Sequence, residues 1–498
     1  MDANLYALIE RHVPDPAAPC LVVPGAGVVS YGELAAQSAR IAHALVDAGC
    51  RPGDRIAVQT DKHPAVLALY LASLRVGLVY LPLNTGYQRA ELDYFFGDAK
   101  PTVVVCGADR LGVVAAAARG ATVLTLDGHG GELLDRAQGR AERFETVARA
   151  PDDLAAILYT SGTTGRSKGA MLTHRNLASN ALALVEAWGF TRGDVLLHAL
   201  PIYHVHGLFV AIHCALLSGA RMLWLSKFDA REVISLLPKA SVMMGVPTFY
   251  TRLLGEPDFG RAQTADVRLF VSGSAPLLAE TFRDFEARTG QRILERYGMT
   301  ETGMITSNPL DGERVAGTVG PPLPGVSVRI VGDDGAAVAP GAVGGIQVKG
   351  PNVLKGYWNL PEKTKEEFTA DGWFKTGDMG RWTPAGYVEI VGRAKDLIIT
   401  GGLNVYPKEI EERIDAMDGV VESAVVGLPH PDFGEAVTAV IVAKPGHALT
   451  ESGVIGALKA EIASFKVPKR VVFALDLPRN SMGKVMKAEL RRKLAPAT

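Results

Sequence analysis

The densest run of chemistry-bearing residues is Tyr159-Thr-Ser-Gly-Thr-Thr-Gly-Arg-Ser-Lys-Gly-Ala170, directly after LAAIL, which reads as a strand. Gly162 and Gly165 let the backbone turn successive N–H groups towards one point. Ser161, Thr163 and Thr164 add hydroxyl donors, and Lys168 adds a mobile cation. Converging N–H groups, hydroxyls and a lysine suit a polyphosphate. The run is not a Walker A loop, because no G-K-[ST] follows, and no G-x-G-x-x-G opens a helix. A second constellation is PIYHVHG (201–207). Read as a strand, it turns His204 and His206 the same way, as a zinc site would need, but no Asp, Glu or Cys lies close by in sequence to complete a ligand set. A third is Arg252, one turn into the apolar helical pattern VPTFYTRLL. Beside a pocket, an arginine is costly unless it meets an anion, and its planar fork suits a carboxylate. The plain alternative is a surface arginine paired with Glu256 or Asp258.

Such groups need a scaffold, and the composition describes one. The chain has 498 residues, enough for about three units or one large domain with a smaller partner. Lys+Arg 52 against Asp+Glu 53 leaves a net charge of −1, so no basic field exists to hold nucleic acid or an anionic membrane. Hydrophobic residues at 48% and charged residues at 21% are ordinary globular usage. Gly 54 and Pro 29 together are about a sixth of the chain, which points to many turns. Cys20, Cys50, Cys106 and Cys214 are far apart and form no C-x-x-C pair, as expected of a reduced compartment. The N-terminus lacks the apolar core of a signal peptide, and the most apolar stretches, near 64–83 and 207–225, are interrupted by Arg75, His213 and Arg221. A cytoplasmic protein without membrane contact is expected.

Short β-branched runs alternate with helical ones, which predicts an α/β layered fold with largely parallel sheets. Tyr31 to Val46 reads as a helix capped at Ser30, RIAVQT (55–60) as a strand, PAVLALYLASLRVG (64–77) as a buried helix, and VYLPLN (79–84) and TVVVCG (102–107) as strands. The rhythm returns over 154–275: a strand before the glycine loop, a helix from about 175 to 188, VLLHAL (195–200), a helix near 207–217, and LFVSGSA (269–275). From about 310 to 394, Gly, Pro and short alternating strands predict a β-rich subdomain. Beyond it lies a small α+β unit with a helix around 451–464 and a basic tail. The expected division is 1–394 and 395–498.

The glycine loop resembles the phosphate loop of the adenylate-forming superfamily of acyl-CoA synthetases, luciferases and peptide-synthetase adenylation domains. Further signatures of that family follow in order: PIYHVHG, VSGSAPL (271–277), RYGMTET (296–302), TGD (376–378), GRAKDLIITGG (392–402) and PRNSMGKV (478–485). The resemblance implies a large N-terminal adenylation domain, a small mobile C-terminal domain, and ATP, Mg²⁺ and CoA as participants. It implies that Thr160, Ser161, Gly162, Thr163, Thr164, Gly165 and Lys168 cradle the β- and γ-phosphates, that Thr300 touches the α-phosphate and that Glu301 holds Mg²⁺. Gly273, Ser274, Ala275, Tyr297 and Gly298 would line the adenine, Asp378 would accept the ribose hydroxyls, and Arg393 would face ribose or phosphate. Lys484 would bridge the carboxylate and the α-phosphate. His204 and His206 would stand beside the acyl pocket, with His204, Thr164 and Glu301 joining Lys484 in catalysis. Lys395 would be the hinge, and Gly401 and Gly402 would line the thiol channel.

Over essentially the whole chain, VPTFYTR, RYGMTET-GMITSNP, DLIITGGLNVYPKEIE and LPRNSMGKVMK look closest to the bacterial malonyl-CoA synthetase family. That likeness implies a small dicarboxylate substrate, malonate or methylmalonate, whose second carboxylate meets Arg252 with Ser274 and His206 while Met304 limits bulk at the α-carbon. A lysine acetyltransferase and deacetylase acting at Lys484 are expected partners. The competing readings are a ligase for another small or aromatic acid, an adenylation enzyme loading a carrier protein, and a non-catalytic nucleotide-binding relative.

Overall fold

The capped and apolar-periodic runs fold as their spacing dictates. In the computed structural model, which describes residues 2–13, 15–128, 130–160, 167–400, 403–430, 433–480 and 483–495, Ser30 caps the helix Tyr31–Asp47. Its hydroxyl accepts from the Glu33 N–H while the Glu33 carboxylate returns the bond to the Ser30 N–H, satisfying two donors that a helix start leaves free. The helix Pro64–Val76 has every residue from Ala65 to Val76 buried, because it lies in a core shared by two large sheets.

One large sheet has seven strands in the order 356–357, 168–173, 154–160, 79–82, 55–59, 103–106, 122–125. The other has eight, in the order 303–307, 294–299, 269–272, 242–245, 195–198, 221–224, 19–23, 27–30. Both are parallel in their centres; the eight-stranded sheet closes with antiparallel strands at both edges, and the seven-stranded one only at the 356–357 edge, its 122–125 edge being parallel. Parallel strands buried on both faces account for the continuous apolar runs that mark them in sequence. The α/β class is as expected.

Two local features depart from the expected pattern. The glycine loop does not lead from strand to helix. Leu154–Thr160 and Lys168–Thr173 pair antiparallel, with Thr160 opposite Lys168, and only then does the helix His174–Ala187 begin. The loop therefore tips a β-hairpin, and a strand precedes the helix. The basic tail is also ordered, as the helix Lys487–Leu494 with Leu490 buried.

The glycine-rich stretch builds an antiparallel sheet of four strands, 327–331, 344–349, 374–382 and 388–393. Beyond it, strands 403–405, 398–400, 434–443 and 420–430 form a further sheet, with 470–474 parallel to 434–443. Helices Pro407–Asp415 and Glu451–Glu461 cover one face of this sheet and Lys487–Leu494 covers the other. Alternation along Val420–His430 serves both cores: Val425 faces one, while Ala424 and Val426 face the other. Among the described residues no helix is long and apolar enough to cross a membrane.

Candidate active site

Strand ends and tight turns bring most of the expected residues into one cleft. Asp378 lies in the strand Phe374–Trp382, directly opposite Arg393 of the neighbouring strand. Its buried carboxylate takes Arg393 Nε on Oδ1 at 2.6 Å and the Tyr297 hydroxyl on Oδ2. Burial lifts the Tyr297 phenol far above its ordinary range, and the Asp378 charge adds to this, so Tyr297 stays a donor.

Thr300 and Glu301 sit at the turn between strands Leu294–Met299 and Gly303–Ser307. Glu301 is buried, and its Oε1 accepts from the Tyr357 hydroxyl at 3.1 Å and Thr160 Oγ1 at 3.4 Å. Burial raises its pKa, opposed by hydrogen bonds and by the charges of Arg393 and Lys168. Lys168 Nζ lies 4.4 Å over the Tyr357 ring and 3.6 Å from Glu367. Tyr357 thus touches both the carboxylate and the lysine, a link that no local pattern in GYWN discloses. Ser161, Gly162, Thr163, Thr164 and Gly165 lie outside the described residues, as do Gly401 and Gly402. Among the described residues no three His, Cys, Asp or Glu side chains converge as a metal cage. A single carboxylate beside a phosphate-type lysine fits Mg²⁺, which binds through one or two carboxylates plus substrate phosphates.

His204 and His206 do not share a strand. His204 lies in the turn after the strand Val195–His198, and His206 opens a π-helical segment, His206–Ile212, so the premise of a zinc pair fails. Burial drives the His204 pKa down to about 4 and lowers that of His206 strongly, so both are neutral imidazoles. His206 Nδ1 meets Ser274 Oγ at 3.3 Å, and its buried Nε2 has no hydrogen-bond partner among the described residues. Ser274 has φ 74°, a left-handed conformation that a non-glycine residue holds only when its surroundings enforce it. Glu295 helps to enforce it by accepting from the Leu277 N–H at 3.0 Å, which pins the turn that carries Gly273, Ser274 and Ala275.

Both glycines have structural reasons of their own. A Cβ on Gly273 would come within 2.4 Å of the Arg296 guanidinium, and one on Gly298 within 2.2 Å of the Gly303 carbonyl and 2.7 Å of Met304 Cε. Met304 is buried under this turn, its backbone clamped by Asn180 through bonds of 2.8 and 2.9 Å. The sequence reading missed Arg296. This side chain is buried, its Nε and one terminal nitrogen lack partners among the described residues, and burial lowers its pKa to about 9. The only cue was an adjacent acid and base, Glu295 and Arg296, inside the short strand Leu294–Met299.

Arg252 lies on the helix Pro247–Leu254, exposed, and makes no ion pair among the described residues; Glu256 is engaged by Arg231 instead. Thr248, one turn earlier on the same face, packs within 3.2 Å of where a Gly483 Cβ would stand. This face of the helix therefore meets the hairpin of PRNSMGKV. Arg479 donates to the Gly483 carbonyl at 2.6 Å and pairs with Glu422, and the Lys484 N–H bonds Asn480 Oδ1 at 2.9 Å. Lys484 is held where Arg393, Asp378, Lys395 and Asp396 all act on its charge. Its surface is open to the cleft, yet the surrounding protein and the neighbouring cations lower its pKa to about 8. Lys395 is exposed in a short 3₁₀ turn, Ala394–Asp396, with Arg393 tied back to Asp378 and Asp396 tied forward to Arg491 at 2.6 Å.

The pattern of AMP-binding enzymes matches residues 10–358, and that of the AMP-binding enzyme C-terminal domain matches 409–484. The chain belongs to the AMP-binding enzyme family. Crystal structures of MatB from Rhodopseudomonas palustris share 56% identity over 99% of both chains, with a TM-score of 0.97 in the ATP-bound form and 0.87 in the apo form. The mitochondrial malonate–CoA ligase of Mus musculus is 38% identical, over 90% of this chain and 84% of its own. A feruloyl-CoA synthase of an Amycolatopsis species is 35% identical, over 94% of each.

The environment of Lys484 is directly measurable in this AMP-binding enzyme. Competitive labelling of the ligand-free protein with an amine reagent across pH, read by peptide mass spectrometry, should give Lys484 a midpoint near 8. A midpoint above about 10, that of an ordinary exposed lysine, would contradict the described geometry.

Proposed function

We propose that this enzyme joins malonate to CoA. Malonate first attacks the α-phosphorus of ATP, giving malonyl-AMP and releasing pyrophosphate. The CoA thiol then attacks the acyl carbon, giving malonyl-CoA and releasing AMP. Both steps rest on positioning and placed charge, and neither needs an enzyme nucleophile. Lys484, held beside Arg393 and Asp378, bridges the attacking carboxylate and the α-phosphate. Asp378 holds the ribose, Tyr297 with Gly273, Ala275 and Gly298 flanks the adenine, and Lys168 with the hairpin loop takes the outer phosphates. Thr300 meets the α-phosphate. Glu301 holds Mg²⁺, which neutralises phosphate charge when bound.

The observation that carries the choice of acid is the pair of unpaired arginines. Among the described residues neither makes an ion pair: Arg296 is buried beside Ser274 and His206, with the charge of Glu295 acting on it, and Arg252 stands on the helix that faces the Lys484 hairpin. A buried guanidinium that no direct ion pair offsets is costly, and the second carboxylate of a dicarboxylate would offset that cost. The malonate–CoA ligase relative supports the same reading. Met304 and the neutral His204 and His206 close the acyl side against water and bulk.

The two units, 1–394 and 395–498, turn about Lys395 between the steps, anchored on either side by Arg393 and Asp396. The higher likeness to the ATP-bound neighbour supports the present orientation as the one for the first step. In the other, Gly401 and Gly402 line the thiol channel. Acetylation of Lys484 by a lysine acetyltransferase removes the bridging charge and stops the first step, and a deacetylase restores it. A cytoplasmic location is part of the same reading.

A panel of acids with ATP and CoA, followed by pyrophosphate release, tests the assignment. Malonate should lead, methylmalonate should follow, and ferulate and benzoate should give little; a preferred aromatic acid would overturn it. Arg252→Ala should cost roughly 1.5–3 kcal/mol in kcat/KM for malonate, the loss of one charge-assisted contact. Unchanged kcat/KM would remove Arg252 from the site.

A further inference from the structure

The turn that carries His204 and His206 is closed at its base by a group far away in sequence. Lys62 lies after the strand Arg55–Gln59 of the seven-stranded sheet and reaches across to the eight-stranded one. Its Nζ meets His198 Nδ1 at 2.6 Å and the His198 carbonyl at 2.8 Å, and it stands 4.4 Å over the Trp224 ring. His198 stacks on Trp224 with ring centroids 5.1 Å apart, and its Nε2 meets the Gly207 carbonyl at 3.0 Å. A carbonyl only accepts, so Nε2 carries the proton and Nδ1 is the acceptor for Lys62. The Gly207 carbonyl fastens one end of the turn to the strand that begins it. The turn is tight as well, since a Cβ on Gly207 would come within 2.0 Å of the Pro201 carbonyl.

The arrangement is expensive for a structural fastening alone. Lys62 is buried, no ion pair reaches it among the described residues, and burial lowers its pKa well below the ordinary lysine range. A methionine would fill the same volume without that desolvation cost. What an amine supplies and a methionine does not is two directed donors, which fix one imidazole tautomer and one carbonyl.

We propose that Lys62 is a positioning residue for the acid substrate: by fixing the His198 tautomer it holds the Gly207 carbonyl, and with it the turn that aims His204 and His206 at the acyl side. This rests on the reading of those two histidines as acyl-side groups. Lys62 touches neither nucleotide nor acid. Its effect falls on the acid because the turn contacts the Ser274 side of the cleft, through His206 and Ser274, rather than the Asp378 side.

The test compares the intact protein with Lys62→Met and Lys62→Gln, measuring KM and kcat for malonate and for ATP together with the thermal midpoint. Lys62→Met should lower kcat/KM for malonate at least tenfold while KM for ATP stays within twofold. Lys62→Gln, which retains two donors, should recover part of the loss. In ¹⁵N-histidine spectra, the His198 ring should leave its single Nε2–H tautomer in Lys62→Met, with the signal assigned through His198→Gln. Unchanged malonate kinetics in a Lys62→Met protein that has lost that tautomer would overturn the proposal. So would a loss that falls equally on ATP and malonate and tracks the thermal midpoint. Wild-type protein that turns over a different acid would instead overturn the assignment of malonate, and the comparison would then be repeated with that acid.

Discussion

The structure turns on two cations held side by side. Arg393 pairs with Asp378, and the charges of both act on Lys484, to which Lys395 adds a third positive charge. Crowding cations is unfavourable without anions, and after burial, the larger cause, it lowers the Lys484 pKa. In the proposed reaction the anions arrive with the substrates: a triphosphate and a dicarboxylate, which repel each other unless such charges are already in place. A net charge of −1 shows how this is done without a basic surface. The few cations that matter are aimed, and much of the fold serves to aim them.

That aiming is done by supporting side chains, most of them distant in sequence from the group they hold. Tyr357 joins Lys168 to Glu301, Glu295 pins the turn of Ser274, Arg479 closes the hairpin of Lys484, and Lys62 fastens the turn of His204 and His206. Each satisfies a polar group of the site (a carboxylate, a backbone group or a ring nitrogen), so site geometry and polar satisfaction coincide. The strained Ser274 backbone is held within one of these networks.

Much of the fold was legible because its signals are local. Ser30 with Glu33 spells a capping box, the long apolar run of Pro64–Val76, broken late by Ser73 and Arg75, reads as a buried helix, and the β-branched runs fall where the parallel strands lie. What escaped is decided at long range. The strand Lys168–Thr173 has too little pattern in six residues and exists because Leu154–Thr160 is beside it. PIYHVHG reads as extended, but the closure of His198 onto Gly207 coils it into a turn and a π-helical start. Arg296 and Lys62 look like surface charges in sequence. Only the packing of two sheets shows the first to be an unpaired buried cation and the second the partner of a histidine 136 residues away.

The central claim is that Lys484 acts in the first step alone, through its charge beside Arg393 and Asp378. Lys484→Ala measured in two assays addresses it most directly. The variant should lose malonate-dependent ATP–pyrophosphate exchange by orders of magnitude, yet still convert supplied malonyl-adenylate and CoA to the thioester at close to the wild-type rate. Retained exchange, or equal loss of both half-reactions, would contradict it.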